Sequence, residues 1–285
     1  MDYIVTLIAG KERLTQDIAD DMARLVGAQD LRWVAEGMVC DFASAQGGRQ
    51  ANGKLDLDAQ EYGIDYILQP AEHRRKKLLI ADMESTIITC ECLDELAELV
   101  GIRDKIADIT ARAMNGELDF ESALRERVGL LKGLPESSLQ KVMDEKVRLM
   151  PGAKELISAM KQEGAYCMLV SGGFDFYASR VAQMLGFDEW RANRLEIENG
   201  VLTGNVIAPI LGKEAKLQAL NESCAKLAIA PEEVLAVGDG ANDVPMLLGA
   251  GLGVAYHAKP NVRAQAKHKI DHADLRALLW AQGIH

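Results

Sequence analysis

Apolar positions along this chain follow two different patterns. Up to about residue 70, short alternating runs surround a helical stripe. Beyond residue 77, solid apolar runs of strand length alternate with amphipathic stretches. In the first part, 3–8 reads as a strand. Gly10-Lys11 turns the chain, and Ile18, Met22, Leu25 and Val26 mark a helix over 15–26 that stops at Gly27. Leu31–Ala35 and Met38–Phe42 read as short strands, 46–54 as a Gly/Gln/Asn-rich loop, and Tyr66–Gln69 as a last strand before Pro70. This is a small β-α-β-β unit with room for one more helix. It carries no phosphate loop and no cluster of carboxylates or histidines, so a packing or dimerisation module is expected. The charged stretch 71–77 (Ala-Glu-His-Arg-Arg-Lys-Lys) reads as a solvated connector.

The second part opens on Leu78-Leu-Ile-Ala, a strand that runs straight into Asp82-Met-Glu-Ser-Thr. Helical patterns follow over Cys92–Val100, 102–114, 119–131 (with Gly116 as the break) and from Pro135 to about Leu149, ended by Pro151-Gly152. About sixty helical residues after one strand predict an inserted helical cap. Alternation then resumes. A helix over Ala153–Gln162 and a strand to Val170 are followed by a helix over Asp175–Leu185. A hairpin around Asn199-Gly200 precedes a helix over Lys213–Leu227. A strand over Val234–Val237, a short helix from Val244, a strand to Tyr256 and two closing elements complete the pattern. The fold class expected is α/β: a doubly wound parallel-sheet core with both faces covered, an inserted helical cap and a small N-terminal α+β domain. The boundaries read as 1–70 for the small domain, 71–77 for the connector and 78–285 for the core, with the cap at about 88–150.

Totals narrow the chemistry. A length of 285 residues suits two units, and 48% apolar content suits a buried core. The net charge of −11 argues against nucleic-acid or anionic-membrane partners, while leaving room for a small anionic substrate. No apolar run approaches the ~18 residues a membrane helix needs, and Met1-Asp2-Tyr3 lacks the basic start of a secretory signal. The five scattered cysteines point to reduced thiols in a cytoplasm. Cys90 and Cys92 stand too close together for a zinc knuckle.

Three strands end in polar loops: at Asp82, at Ser171-Gly-Gly, and at Gly238-Asp-Gly-Ala-Asn-Asp243. In an open parallel sheet such ends share one edge, so distant loops meet. Clustered Asp oxygens suit a hard cation such as Mg²⁺. A Ser-Gly-Gly turn opening a helix offers amides to an anion. Together with a free carboxylate, these are the parts needed for phosphoryl transfer.

These three motifs resemble those of the haloacid dehalogenase-like phosphatases, and within them the phosphoserine phosphatase family. Glu91-Cys-Leu-Asp-Glu-Leu-Ala, Phe120-Glu-Ser-Ala-Leu-Arg-Glu-Arg-Val, Ala192-Asn-Arg-Leu, Leu202-Thr-Gly, Lys213-Glu-Ala-Lys216 and His257-Ala-Lys-Pro extend the likeness over most of 77–280. The resemblance implies a Mg²⁺-dependent hydrolysis of phosphoserine in serine biosynthesis. By that likeness Asp82 is the nucleophile that becomes phosphorylated, and Glu84 the general acid and base. The metal would be held by Asp82, the Glu84 carbonyl and Asp239, with Asp243 supporting. Ser171, Gly172, Lys216 and Asn242 would hold phosphate. Glu91 and Arg127 would hold the ammonium and carboxylate of the substrate, with Met114 and Phe120 closing over it. Thr86 and Arg194 also match family positions.

Residue chemistry alone leaves Lys213 and Lys216 equivalent, and leaves Asp243 free to be a helix cap. At position 84 the family usually has Asp; Glu is longer by one carbon–carbon bond, so the pocket must make room. A related branch with Asp-x-Glu moves phosphate onto homoserine, which keeps phosphotransfer as an alternative, with a non-catalytic ligand sensor as a second. Element order in residues 1–70 resembles the ACT-type domain, through which a homodimer would form.

Overall fold

A computed structural model describes residues 3–28, 30–44, 48–114 and 117–284. Its first six elements are β1 (Tyr3–Ile8), α1 (Gln16–Leu25), β2 (Leu31–Ala35), β3 (Val39–Ser44), α2 (Gly48–Tyr62) and β4 (Asp65–Pro70). Thr15 caps α1 by accepting a hydrogen bond from the Ile18 amide at 3.3 Å. Met22 and Val26 are fully buried, as their spacing predicts. The loop expected at 46–54 is instead helical from Gly48. Leu55 and Ala59, four residues apart, are buried in the same core as Met22, and that burial outweighs the weak helix preference of the Gly- and Asn-containing first turn. All pairings in this unit are antiparallel, in the order β2-β3-β1-β4, a β-α-β-β-α-β topology.

The connector is largely exposed, as its composition predicts, but Arg74 and Lys76 turn inward. Arg74 donates to both carboxylate oxygens of Asp41 (2.9 and 2.8 Å), to Thr6 Oγ1 (3.0 Å) and to the Ala281 carbonyl (2.8 Å). Lys76 is buried and donates to the carbonyls of His73 and Glu232. These two cations serve carbonyls that a helix end and loops leave unpaired, while Arg75 and Lys77 between and after them stay exposed.

Then come β5 (Leu78–Ala81) and four helices: α3 (Cys92–Leu99), α4 (Arg103–Met114), α5 (Phe120–Gly129) and α6 (Ser137–Glu145). Gly116, the expected break, lies outside the described residues. α7 (Ala153–Gln162), β6 (Tyr166–Phe174), α8 (Asp175–Leu185), β7 (Glu189–Glu198), β8 (Val201–Ile207) and α9 (Lys213–Leu227) follow. The chain closes with β9 (Val234–Gly238), α10 (Val244–Gly249), β10 (Leu252–Tyr256), α11 (Pro260–Arg263), β11 (His268–Ile270) and α12 (Ala277–Ala281), one element more than the two expected.

Among the described residues one sheet of eleven strands runs β2-β3-β1-β4-β11-β10-β9-β5-β6-β7-β8. From β11 to β7 every pairing is parallel. β11 meets β4 antiparallel through Lys269 and Tyr66, which joins the N-terminal strands to the core. The Asp65 carboxylate reinforces that seam by accepting from the amides of Asp271, His272 and Ala273 (2.8, 3.0 and 2.7 Å).

β5 is the centre of the parallel part, and all four of its residues are buried. Leu79 and Ala81 enter the core under α7, α8 and α12, whereas Leu78 and Ile80 enter the one under α9 and α10. A strand buried on both faces reads as a solid apolar run, which is why this one stands out in the sequence. The chain returns from β6 and β7 on one side to β9 on the other, so β5 and β9 flank a topological switch point.

Replacing Arg74 with Ala strands Asp41 in a nearly buried position. Unfolding free energy is expected to fall by about 3 kcal/mol, the scale for breaking a buried ion pair. A urea titration followed by circular dichroism measures this, and an unchanged midpoint would remove Arg74 from the seam.

Candidate active site

Ala81 pairs with Leu169 and Val237 in the two neighbouring strands, so Asp82, Val170 and Gly238 emerge together at one edge of the sheet. The Asp82 amide still donates to the Val237 carbonyl at 3.0 Å, so this carboxylate leaves the sheet from a fixed backbone. Lys216, on the first turn of α9, reaches across with its ammonium 2.6 Å from Asp82 Oδ1 and 2.5 Å from Asp243 Oδ1. All three side chains are nearly inaccessible. Lys213 lines the cleft rim with its side chain 61% exposed. The two lysines that the sequence left equivalent are thus separated by burial.

Asp243 does not cap α10 with its side chain. Its second oxygen accepts the Gly240 amide at 2.9 Å, closing the loop on itself. A Cβ at Gly238 would lie 2.4 Å from Asp243 Cγ, so only glycine fits there. Thr86, also buried, directs Oγ1 at Asp239 Oδ1 at 3.5 Å.

Carboxylate oxygens of Asp82, Asp239 and Asp243 come within 4.8 Å of one another. Burial, then Asp243, raises the pKa of Asp82 well above the usual range, with Lys216 opposing. The same two causes push Asp239 up to about 6. For Lys216, burial works against the charge, but Asp243 and Asp82 outweigh it and keep the ammonium protonated. Three carboxylates facing one ammonium carry a net charge of −2 when ionised. An all-oxygen donor set with that charge fits a hard divalent cation, so the cluster could bind a metal ion.

Glu84 follows two residues later, within a turn that brings Ser85 to a positive φ of 55°. Its Oε1 accepts the Cys92 amide at 2.7 Å. On the other side, a Cβ at Gly173 would stand 2.4 Å from Glu84 Oε2. The room for the extra carbon of Glu84 is therefore made by the bare Cα of Gly173. Burial, then the nearby Glu91 charge, raises the Glu84 pKa to about 7, although the Cys92 amide pulls the other way.

Ser171 is buried, and its hydroxyl accepts the Gly173 amide at 2.9 Å. The strand, expected to end at Val170, continues through this stretch as far as Phe174, and α8 begins at Asp175, where its pattern places it. Asn193 had no assigned chemistry in the sequence, yet it binds this loop to the approach to α9. Its Nδ2 donates to the Gly172 carbonyl at 2.8 Å and its Oδ1 accepts the Leu211 amide at 2.7 Å. A lone buried amide carries no pattern; only its place in the family-like Ala192-Asn-Arg-Leu stretch could have flagged it.

These groups open onto a cleft of about 530 Å³ between the sheet edge and the helices after β5. Asp82, Glu84, Glu91, Phe120, Arg127, Gly172, Asp239 and Asn242 all line it. Glu91 accepts from Ser85 Oγ at 2.7 Å. Arg127 is largely buried, with Nε directed to the Ala123 carbonyl at 3.3 Å. Burial lowers its pKa, while Asp94, Glu84 and Glu91 favour the charge. The Phe120 ring stands over Gly172, 3.4 Å from where a Cβ would be. The Met114 side chain lies outside the described residues, and Arg194 is not among the described residues that line the cleft. Lys259, part of the His257-Ala-Lys-Pro stretch but given no role there, adds a cation to the rim, 4.0 Å from Asp239.

Residues 79–248 match the family model of haloacid dehalogenase-like hydrolases. The chain is 47% identical over 208 residues to a phosphoserine phosphatase of Albidiferax ferrireducens, covering 71% of this chain and 88% of that one. A HAD family hydrolase from Salmonella enterica serovar Typhi superposes with a TM-score of 0.87 at 32% identity, over 98% of both chains. A substrate-bound phosphoserine phosphatase superposes with a TM-score of 0.68 at 38% identity, over 74% of this chain and 99% of the other. Matched over more than half its length by the family model, this chain belongs to the haloacid dehalogenase-like hydrolases.

Proposed function

We propose that this protein is a phosphoserine phosphatase that releases L-serine and phosphate from O-phospho-L-serine, the last step of serine biosynthesis. The observation that carries the reading is the mixed lining of one cleft. It holds Asp82 against Lys216, and with them a carboxylate and a guanidinium, Glu91 and Arg127. A phosphomonoester fits the first pair, and an α-amino acid, with its ammonium and carboxylate, fits the second.

In this reading Asp82 attacks phosphorus and Glu84 donates a proton to the departing serine oxygen. The resulting Glu84 carboxylate then takes a proton from the water that hydrolyses the aspartyl-phosphate. A pKa near 7 suits a group that must give and then accept a proton. Ser171, Gly172, Asn242 and Lys216 hold the phosphate. Phe120 and Met114 close the substrate side as the cap shuts out bulk water. Mg²⁺ is the metal proposed, held by Asp82, the Glu84 carbonyl and Asp239 with Asp243 in support; when bound, it offsets charge on the transferring group.

The five cysteines are all thiols, which fits the cytoplasm as its compartment, and no helix among the described residues is long and apolar enough to cross a membrane. Residues 1–70 form the small domain and 78–285 the catalytic one in this reading. Among the described residues β2 stands at the edge of the sheet, a surface through which the small domains of two copies would pair.

Phosphate release from phosphoserine, with Mg²⁺ and after chelation, tests the function directly. Turnover is expected only with metal, and Asp82→Asn is expected to abolish both turnover and phosphoenzyme. A phosphate transfer to added homoserine that exceeds hydrolysis would make water the minor acceptor and overturn the phosphatase reading.

Arg127→Ala is expected to lower kcat/KM for phosphoserine about 100-fold, the scale of a lost charge-assisted hydrogen-bonding pair. A phosphomonoester without a carboxylate should lose far less; equal losses would place Arg127 outside substrate recognition.

Gly173→Ala places a methyl against Glu84 and is expected to lower kcat about 100-fold through misplacement alone, with circular dichroism unchanged. Wild-type kcat in this variant would show that Glu84 needs no such fit.

A further inference from the structure

Between Val170 and Phe174 the ladder that joins β6 to β7 breaks step. Val170 pairs with Arg191 and Phe174 with Asn193, so four steps along β6 face two along β7. Ser171, Gly172 and Gly173 therefore bulge from the regular ladder, and their backbone groups lose the partners a regular strand would give them.

The Asn193 side chain replaces one of those partners. Its Nδ2 donates to the Gly172 carbonyl at 2.8 Å. The same amide group pairs with Leu211 much as a neighbouring strand would. Oδ1 accepts the Leu211 N–H at 2.7 Å, and Nδ2 is directed at the Leu211 carbonyl at 3.4 Å. Asn193 is only 1% exposed, so losing these bonds leaves buried groups unsatisfied. Gly212 follows Leu211 as the N-cap of α9, the helix that carries Lys216.

The peptide between Gly172 and Gly173 is thus held at both edges. Asn193 takes its carbonyl, and Ser171 Oγ takes its N–H at 2.9 Å. A planar unit gripped on both sides has little freedom to turn. Because the Ser171 oxygen accepts inside the loop, its own proton is left to donate, and among the described residues it donates to none. The same grip keeps the bare Cα of Gly173 against Glu84 Oε2.

We propose that Asn193 is a positioning residue for the reaction: by tying the 172–173 peptide to the entry of α9, it aims the Ser171 hydroxyl and the Gly172 amide at the phosphate and keeps both in register with Lys216. This deepens the phosphatase reading and rests on it in one respect, that Ser171, Gly172 and Lys216 hold phosphate. Asn193 acts only through those three residues.

The N–H of Asn193 is the decisive group. Aspartate has nearly the same shape and still accepts the Leu211 amide. Its carboxylate, however, sets a lone pair against the Gly172 carbonyl and turns that peptide away. Once protonated, the same carboxyl has an O–H to donate. Burial raises the pKa of an introduced carboxyl above its ordinary value of about 4. The group is therefore ionised at pH 8 and gains protons as pH falls, so the defect is full at high pH and relieved at low pH.

The experiment compares Asn193→Asp with wild type as Mg²⁺-loaded proteins at pH 8 and at pH 5. Inorganic phosphate is titrated by calorimetry, and kcat is measured on phosphoserine and on a phosphomonoester without a carboxylate. At pH 8 the variant is expected to bind phosphate about ten-fold more weakly and to lose about 100-fold in kcat, equally on both esters. The ratio of variant to wild type is expected to rise several-fold at pH 5; taking the ratio cancels groups that titrate in both proteins. Asn193→Ala has no donor at any pH and is expected to show the loss at both, and it serves alone if the aspartate variant folds poorly. A lowered unfolding temperature with phosphate affinity and kcat intact in either variant would make Asn193 a structural amide and overturn the proposal. So would an Asn193→Asp ratio that stays the same at the two pH values. A wild-type protein that cleaves the simple ester but not phosphoserine would sink the substrate reading and leave the test of Asn193 standing; one that binds no phosphate would sink both.

Discussion

A single ammonium placed between two buried carboxylates sets the terms for the rest of this molecule. Lys216 cannot be solvated where it stands, and neither can Asp82 or Asp243. Each ion is tolerable only because the others are there, since an unpaired buried charge costs several kcal/mol. That mutual dependence fixes the relative placement of α9, the end of β5 and the loop after β9. It also leaves the centre short of positive charge, because Asp239 brings a third carboxylate to the same few ångströms. An electrostatic deficit of this kind is costly to fold, and the fully apolar, doubly covered strands beneath it offset the cost.

The cleft divides its work between rigid and adjustable parts. The side bearing Asp82 is built on strand termini, with backbone pairing on both sides and glycines at positions 173 and 238 where no side chain fits. The side bearing Glu91 and Arg127 is built on short helices joined by loops. Phe120 from α5 crosses to Gly172 on the sheet, so the aromatic ring connects the two halves. On the proposed reading, this lets one scaffold keep the reacting atoms fixed while the helices decide which alcohol is admitted.

Much of this is legible in the sequence. Leu78–Ala81 is apolar without alternation because both of its faces are buried, and that same burial makes the carboxylates that follow conspicuous. Motif order at strand ends was enough to bring Asp82, Ser171 and Asp239 together. What escaped notice depends on contacts between distant segments. Within the largely exposed run at 74–77, the inward turn of Arg74 is invisible to composition, which cannot show that Asp41 and the carbonyls near residue 281 lie beside it. The helix from Gly48 was hidden because its reason to form, the burial of Leu55 and Ala59, is tertiary. Asn193 carries no periodicity at all, and its two hydrogen bonds join segments about twenty residues away on either side. Position 84 was readable as an anomaly, but the answer to it lay in an absent side chain on another strand.

The seam between β4 and β11 has a consequence for the order in which the protein is made. β4 ends at Pro70, whereas its neighbour in the sheet begins at His268. A ribosome adding roughly 5–20 residues per second needs about ten to forty seconds to supply that neighbour. Throughout that interval the four N-terminal strands stand complete with one edge of β4 bare, a surface on which another nascent chain can add a strand. The Asp65 carboxylate, which later receives three amides from residues 271–273, sits on that edge from the outset. A charge held there discourages a foreign strand while the chain's own partner is still being synthesised.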